Sequence, residues 1–437
     1  MARRGNQNML DQYFKITENG STVKTELLAG LTTFLTMAYI IFVNPMIMSK
    51  AGVDQGSAFV ATCLAAAFGT ALMGLWAKYP VALAPGMGLN AYFSFGVVLG
   101  MGHTWQVALG AVFLSGVLFL IISVLPIREK IVNAIPMSQK MAIGAGIGFF
   151  LAIIALENAG IVAAHPATIV TLGKITAPGA LLACLGFILI IALDYRKIPG
   201  AIMIAILLVT VVGIVLGHAK FNGIVSAPPS LSPTFLQMDI MGALSVGLVS
   251  IVFAFFMVDL FDNTGTLISI APRAGMMDEQ GRLKRIGPAF ITDSISCMVG
   301  AALGTSTVTS YIESAAGIRA GGRTGLTAVV VAILFLLALF VAPLATSIPA
   351  FATAPALFFV ACVMASSMVK VDWEDATEYA PAVVTAITMP LTFSIATGIA
   401  LGFIAYVAGK LLTGKVKDIH PIMAVLAVLF VIKLYLA

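Results

Sequence analysis

Two stretches of this chain combine acidic side chains with strongly apolar sequence. Residues 255–263 read Phe-Phe-Met-Val-Asp-Leu-Phe-Asp-Asn, and residues 304–313 read Gly-Thr-Ser-Thr-Val-Thr-Ser-Tyr-Ile-Glu. They carry three carboxylates, which are Asp259, Asp262 and Glu313. An ionisable side chain at membrane depth is costly and is retained mainly for function. The two stretches therefore predict a membrane protein with an acidic working site.

The composition also places the whole chain in the membrane class. Of its 437 residues, 60% are hydrophobic and only 10% are charged, and the mean hydropathy is +1.05. Its long apolar runs have the roughly 20-residue length that a helix needs to cross a bilayer. A β-barrel would instead show alternating segments of about ten residues. The sequence therefore predicts an all-α polytopic membrane protein.

Basic residues predict the orientation of the spans. The net charge of +5 is scattered through loops and forms no patch that would bind nucleic acid. By the positive-inside rule, basic residues before the first span and on alternate connections place the N-terminus and these loops in the cytoplasm. They are Arg3, Arg4, Lys15, Lys24, Arg128, Lys130, Lys140, Arg196, Lys197, Arg273, Arg282, Lys284, Arg285, Arg319 and Arg323. We expect an integral protein of the cytoplasmic membrane.

The chain divides into two halves of seven predicted spans each, separated by a polar linker at residues 218–240. An odd number of spans per half inverts the second half, which is the inverted-repeat architecture of many secondary transporters. The predicted spans are 26–49, 57–77, 82–100, 103–125, 138–160, 177–194, 198–217, 241–263, 286–303, 306–320, 322–344, 351–369, 380–396 and 397–413. Residues 418–437 are apolar enough for one more span, but we expect a peripheral or interfacial helix there.

The third segment of each half cannot be one uninterrupted helix. Pro85 lacks a backbone donor and has glycines beside it, and residues 304–310 are rich in Thr and Ser. We expect a short extended stretch in each, followed by a half-helix that begins near Gly88 or near Thr309. Paired breaks of this kind point to a binding site, because the freed backbone groups need partners. The alternative is two ordinary kinked helices.

Four polar side chains are expected to converge at these breaks, and they are Asn90, Asp259, Asp262 and Glu313. Carboxylates accept hydrogen bonds from the ring N–H groups of a flat heterocycle, and an amide both donates and accepts. Burial and a neighbouring carboxylate favour the neutral form of an acid, so one of these acids is expected to exchange a proton near neutral pH. The alternatives are that Asp262 caps a helix end and that the other acids are buried structural groups.

Two aromatic residues accompany these acids. Phe255 and Phe256 lie one helical turn before Asp259, on much the same side, and are candidates to stack on a flat ring. The alternative is that they pack against protein or lipid. Three further acids near predicted span ends are expected to be solvated or structural, and they are Glu157, Asp194 and Asp293.

Nearly the whole chain, from about Thr25 to Leu412, resembles the AzgA-like purine permeases of the nucleobase transporter superfamily. Five motifs carry the resemblance. They are Ala-Gly-Leu-Thr-Thr-Phe-Leu-Thr-Met-Ala-Tyr at 29–39, Ala-Pro-Gly-Met-Gly-Leu-Asn-Ala at 84–91, Leu-Phe-Asp-Asn-Thr-Gly-Thr at 260–266, Tyr-Ile-Glu-Ser at 311–314 and Gly-Gly-Arg-Thr-Gly-Leu-Thr at 321–327.

The resemblance implies a fold and an activity. It implies 14 spans, a homodimer, and import of purine bases with a proton by an elevator-like movement of a core domain against a gate domain. The core halves would be 25–125 and 241–344, and the gate halves 138–217 and 351–413. The remaining segments would be the cytoplasmic N-terminus 1–24, the linker 218–240 and the C-terminal segment 414–437.

The resemblance also implies roles for individual residues. Asp259 and Glu313 would bind the purine, Asn90 would help to select it, and Asp262 would be needed for transport. Our own hypothesis is that Asp262 is the first candidate for proton carrier, with Asp259 second. The remaining predicted substrate contacts are Gly88, Ala91, Phe255, Phe256, Tyr311 and Ile312. Asp262-Asn263 differs from the uracil and xanthine branches, and residues 88–91 are similar to the hypoxanthine and guanine branch. We therefore favour 6-oxopurines over adenine.

Other classes fit the sequence less well. An anion transporter with the same broken segments should present cationic or neutral donors, whereas this site is acidic. A metal carrier would favour histidine ligands, but the histidines lie in or beside predicted loops, and no nucleophile-base pair of an enzyme is recognisable. The four cysteines lie in apolar segments without metal spacing. We expect no enzyme activity, cofactor or metal, and as partners only a purine base, a proton and membrane lipid.

Overall fold

The computed structural model describes residues 9–125, 134–245, 249–277 and 283–436. Five basic residues used in the orientation argument lie outside the described residues, and they are Arg3, Arg4, Arg128, Lys130 and Arg282. In the described part of the chain, ten helices are long and apolar enough to cross a membrane. A polytopic helical membrane protein is thereby confirmed, while the count of 14 spans stays a prediction.

Helices make up most of the described chain. They run over Met9–Phe14, Val23–Met37, Ile40–Lys50, Gln55–Leu72, Met87–Ala91, Trp105–Val124, Met137–Asn158, Pro178–Tyr195, Ala201–Val215, Ile240–Ala243, Val249–Ala274, Ile286–Leu303, Ser314–Arg319, Gly325–Ala338, Ala342–Ser347, Ala350–Ala365, Ala376–Thr392, Ile395–Leu412 and Pro421–Leu436. π-Helical stretches extend two of them over Met73–Ala77 and Tyr92–Gly100, and 3₁₀ turns occupy Leu339–Val341, Ser366–Lys370 and Val416–Asp418.

Short polar side chains start several of these helices. Thr22 accepts a hydrogen bond from the backbone N–H of Thr25, and Asp54 accepts one from that of Ser57. Such caps satisfy backbone donors that the first helical turn leaves unpaired. The first predicted span consists of two helices that meet at Ala38 and Tyr39.

The two broken segments pair with each other through strands. Leu83–Pro85 runs antiparallel to Val308–Ser310, with Ala84 opposite Thr309. The first half-helix begins at Met87, next to the predicted Gly88. The predicted start near Thr309 is wrong, because the extended stretch continues through Ser310 and the second half-helix begins at Ser314. The strand pairing supplies partners for backbone groups that the breaks would leave unpaired.

Helices of the two halves pack in two groups around these strands. In one group, Val23–Met37 packs against Gly325–Ala338, and Trp105–Val124 packs against Ile286–Leu303. In the other, Met137–Asn158 packs against helices of the second half, namely Ala350–Ala365, Ala376–Thr392 and Ile395–Leu412. The half-helix Met87–Ala91 contacts Met137–Asn158, so the broken segments face the second group.

Two elements differ from the sequence prediction. The span predicted at 241–263 is a short helix, Ile240–Ala243, and a longer one, Val249–Ala274. An exposed antiparallel hairpin of Val162–His165 and Ile169–Leu172 was not expected. The expected C-terminal helix is present as Pro421–Leu436 and packs on Ile395–Leu412, and its peripheral or interfacial placement stays a prediction.

Candidate functional site

A cavity lies where the paired strands face helix Met137–Asn158. Its wall is mostly apolar but includes two carboxylates and two phenol rings. The lining residues are Tyr39, Gly86, Met87, Gly88, Leu89, Ile147, Val258, Asp262, Thr266, Ser310, Tyr311, Ile312, Glu313, Val360 and Met364. Five predicted site residues are among them, and they are Gly88, Asp262, Tyr311, Ile312 and Glu313. The structure therefore joins both broken segments and the acidic helix at one cavity.

Glu313 reaches the cavity from the turn that links the second strand to its half-helix. It directly precedes the helix Ser314–Arg319 but does not cap it with its side chain. Instead, the Tyr39 hydroxyl donates to Oε1 of Glu313 at 2.5 Å. The Thr36 hydroxyl also donates to the backbone oxygen of Glu313, at 3.4 Å. The first span thus holds this acid at the cavity wall.

Asp262 reaches the cavity from the middle of a long helix. The helix Val249–Ala274 continues for three turns beyond it, which excludes the alternative that Asp262 caps a helix end. Its side chain is exposed to the cavity and lies close enough to Glu313 for the two carboxylates to interact electrostatically. Two acids from different segments of the chain therefore share one space.

Asn90 and Asp259 lie behind the cavity wall. Asn90 is fully buried, where Ser306 Oγ donates to its Oδ1 and its Nδ2 lies 3.5 Å from the Pro85 carbonyl oxygen. Asn90 therefore joins the two broken segments to each other. Asp259 is 1% exposed, and its Oδ1 has no hydrogen-bond partner in the described part of the chain. Both belong to the layer that supports the cavity.

Phe255, Phe256 and Ala91 are buried and do not line the cavity, so their contact with a substrate stays a prediction. The Phe255 ring lies 4.9 Å from that of Tyr92, and the Phe256 ring lies 5.9 Å from that of Phe119. Neither phenylalanine is more than 2% exposed, and Ala91 is fully buried. The two rings fill the core between helices.

Asp293 is a buried acid whose environment the sequence analysis misjudged. It is fully buried, and neither carboxyl oxygen has a hydrogen-bond partner of good geometry among the described residues. Asp259 is its electrostatic neighbour, and the Asn263 amide lies nearby. The sequence signal for its burial was its position within the apolar segment that forms the helix Ile286–Leu303. By contrast, Glu157 and Asp194 are exposed, as expected.

Two glycines allow the close approaches that shape the cavity. A Cβ added to Gly86 would lie 2.8 Å from Thr309 Cγ2, on the opposite strand. A Cβ added to Gly88 would overlap Ile147 Cγ2, on helix Met137–Asn158. Any larger residue at either position would force its neighbour to move. The glycines of the first break therefore serve packing at the site as well as the backbone turn.

Comparisons with known proteins agree with this architecture. A family model described as "Permease family" matches residues 24–401. The adenine permease AdeP of Escherichia coli (strain K12) is 47% identical over 428 residues, which cover 98% of this chain and 96% of AdeP. The guanine/hypoxanthine permease PbuG of Bacillus subtilis (strain 168) is 45% identical over 432 residues, 96% of this chain and 98% of PbuG.

The fold also has a counterpart among solved structures. The transmembrane domain of the cyanobacterial bicarbonate transporter BicA matches with a TM-score of 0.65 and 18% sequence identity. The match covers 87% of this chain and 97% of that domain. At this identity the likeness establishes a common fold and carries no information about the transported molecule.

Proposed function

The chain belongs to this permease family of nucleobase transporters, as its AzgA-like motifs predicted, and we propose that it imports purine bases together with a proton. One observation supports this most directly. Two carboxylates, Asp262 and Glu313, face a single apolar cavity formed by the two broken segments. An acidic, mostly apolar pocket suits a flat uncharged base with ring N–H groups and disfavours an anion.

The cavity offers complementary groups for both parts of a base. Apolar side chains such as Leu89, Ile312 and Met364 can contact the ring faces. Oε2 of Glu313 can accept a ring N–H, since the Tyr39 bond uses the other oxygen. A hydrogen bond from a ring N–H to the ionised Glu313 carboxylate is stronger than one between two neutral groups.

We further propose that 6-oxopurines are preferred over adenine. Hypoxanthine and guanine present an N–H donor at ring atom N1, which an ionised carboxylate accepts. Adenine presents an acceptor at N1 beside its amino group, so a carboxylate gains less from it. Adenine is the second candidate, favoured by the 47% identity to an adenine permease.

Asp262 is our first candidate for the proton carrier. It faces the cavity, whereas Asp259 is buried behind it. Neutralising one of two carboxylates in the same cavity removes their repulsion and lowers the free energy of the substrate-occupied state. The core domain would then move against the gate domain. The contact between Gly88 and Ile147 lies on the proposed boundary between them.

The cheapest test is competition for uptake. Labelled hypoxanthine is offered to cells that express the protein and lack their own purine uptake, with and without an inward proton gradient. Unlabelled hypoxanthine, guanine, adenine, uracil, sulfate and divalent cations are the competitors. We expect inhibition by purines, with 6-oxopurines strongest, and accumulation only with the gradient. Competition by sulfate or divalent cations, or no uptake, would overturn the proposal.

Two substitutions separate binding from coupling. Glu313→Ala should abolish purine binding, because it removes the acceptor at the cavity wall. Asp262→Asn should retain binding to the purified protein but lose uphill accumulation. Asp194→Asn is the matched control, since that acid is exposed at the end of Pro178–Tyr195, and it should behave as wild type. Uphill uptake by Asp262→Asn would remove Asp262 from this role.

Localisation and assembly complete the proposal. We propose a cytoplasmic-membrane protein with its N-terminus inside the cell, and a homodimer. A protease-accessible tag at the N-terminus should be cleaved only after cells are opened, and light scattering in detergent should give the mass of two 45.5 kDa chains.

A further inference from the structure

Tyr39 is a cavity residue that the sequence analysis did not single out. It lies at the junction of the two helices of the first span, between Val23–Met37 and Ile40–Lys50. Its side chain is 1% exposed and lines the cavity. Its hydroxyl donates its single proton to Oε1 of Glu313 at 2.5 Å. Tyr39 therefore already fills one lone pair of Oε1, which leaves Oε2 as the oxygen with more acceptor capacity for a base.

The other oxygen of Glu313 remains available. The Tyr39 hydroxyl is the side-chain donor to this carboxylate, and it bonds Oε1 rather than Oε2. The carboxylate does not cap the following helix either, although it occupies the position from which acids commonly do so. Glu313 can therefore offer Oε2 to the cavity, while the Tyr39 bond to Oε1 orients the carboxylate.

We propose that Tyr39 determines how the site ranks purines, by using acceptor capacity of Glu313 Oε1 and leaving Oε2 as the better acceptor for the base. This inference rests on the proposed function. Hypoxanthine has one hydrogen-bond donor at this edge of the ring, N1–H, and Oε2 alone can accept it. Guanine carries a second donor, the 2-amino group beside N1–H, and its bidentate pairing with Glu313 is limited by the phenol.

Tyr39→Phe should therefore favour guanine over hypoxanthine. The freed Oε1 can accept the 2-amino group, whereas hypoxanthine and adenine have no second donor to place there. One added charge-assisted hydrogen bond predicts a rise of about tenfold in the affinity ratio of guanine to hypoxanthine. The ratio of guanine to hypoxanthine within one variant is informative, because a general loosening of Glu313 weakens the N1–H contact that both bases share.

The matched control is Tyr311→Phe. Tyr311 lines the same cavity, and its hydroxyl donates to the Pro85 carbonyl oxygen at 2.5 Å. The substitution removes a phenol oxygen from the same wall, but the hydrogen bond that it removes is to Pro85 and not to Glu313. It should change all purines by a similar factor and leave the guanine-to-hypoxanthine ratio as in wild type.

Inhibition constants for unlabelled guanine, hypoxanthine and adenine are measured against labelled hypoxanthine uptake in wild type and in both variants. If a variant no longer accumulates substrate, the same constants come from displacement on purified protein. A tenfold gain for guanine confined to Tyr39→Phe supports the inference. An unchanged ratio, a gain for adenine instead, or an equal shift in Tyr311→Phe would overturn it.

The same experiment keeps this inference separate from the proposed function. If wild type neither binds nor transports purines, the proposed function itself fails. If wild type transports purines and Glu313→Ala abolishes binding, but Tyr39→Phe leaves the ratio unchanged, only the role of Tyr39 fails.

Discussion

Gly88→Ala tests whether the contact between the first half-helix and helix Met137–Asn158 controls transport. The added Cβ would overlap Ile147 Cγ2, which is closer than real side chains come. The next neighbours, Ile147 Cβ at 3.7 Å and Met364 Cε at 4.0 Å, are at ordinary contact distances. The clash therefore comes from a single methyl group on the facing helix.

The size of the effect follows from that clash. Overpacking by one methyl group in a close-packed region costs about 1–3 kcal/mol. If the core domain moves against the gate domain, the clash destabilises the conformation described here. Its population relative to the other conformations of the transport cycle should fall by roughly 5- to 150-fold. Gly88→Ala should lower the initial rate of purine uptake at low substrate by at least about fivefold.

The assay uses a compensating substitution and a neutral one. Ile147→Ala removes Cγ2, so the double variant Gly88→Ala/Ile147→Ala should recover most of the uptake that Gly88→Ala loses. Gly144→Ala is the control on the same helix, because a Cβ there would be 3.6 Å from Ser367 Oγ and meets no clash. Wild-type uptake by Gly88→Ala, or no recovery in the double variant, would refute the reasoning.

Three further predictions concern stability, measured as the midpoint of thermal unfolding in detergent. Lys410→Met should destabilise by about 3–5 kcal/mol, since the 3%-exposed Lys410 bonds Glu378 at 2.6 Å, and adding Glu378→Gln should recover part of the loss. Lys415 lowers the pKa of Asp375 below 3.8, so stability should fall as the pH drops below that value, and Lys415→Met should flatten this dependence. Glu26→Ala should cost at least about 2 kcal/mol, and Glu26→Gln less, because its buried carboxylate accepts three hydrogen bonds from residues 323–327.

The backbone breaks were predictable because they depend on local chemistry. Pro85 has no backbone donor and glycines stand on either side of Met87, so this local sequence excludes a continuous helix. The placement of Asp262 and Glu313 at one cavity followed from the rule that paired breaks form a site. The end of the second break was mispredicted, because its strand is stabilised by hydrogen bonds to residues more than 200 positions earlier.

Side-chain surroundings were not predictable to the same degree. The spacing of Phe255 and Asp259 shows that they share a helix face but not what covers that face. Tyr92 and Phe119, which bury the two phenylalanines, come from distant segments. Tyr39 meets Glu313 across 274 positions of sequence, so no local pattern reveals their contact. Burial of Asp293 likewise depends on packing between helices.

The most direct measurement is a structure of the protein determined with hypoxanthine bound. The base should lie in the cavity between the paired strands and helix Met137–Asn158, with a ring nitrogen within hydrogen-bond distance of Glu313 Oε2 and Asp262 beside it. A base bound elsewhere, or in this cavity without contact to either carboxylate, would contradict the account.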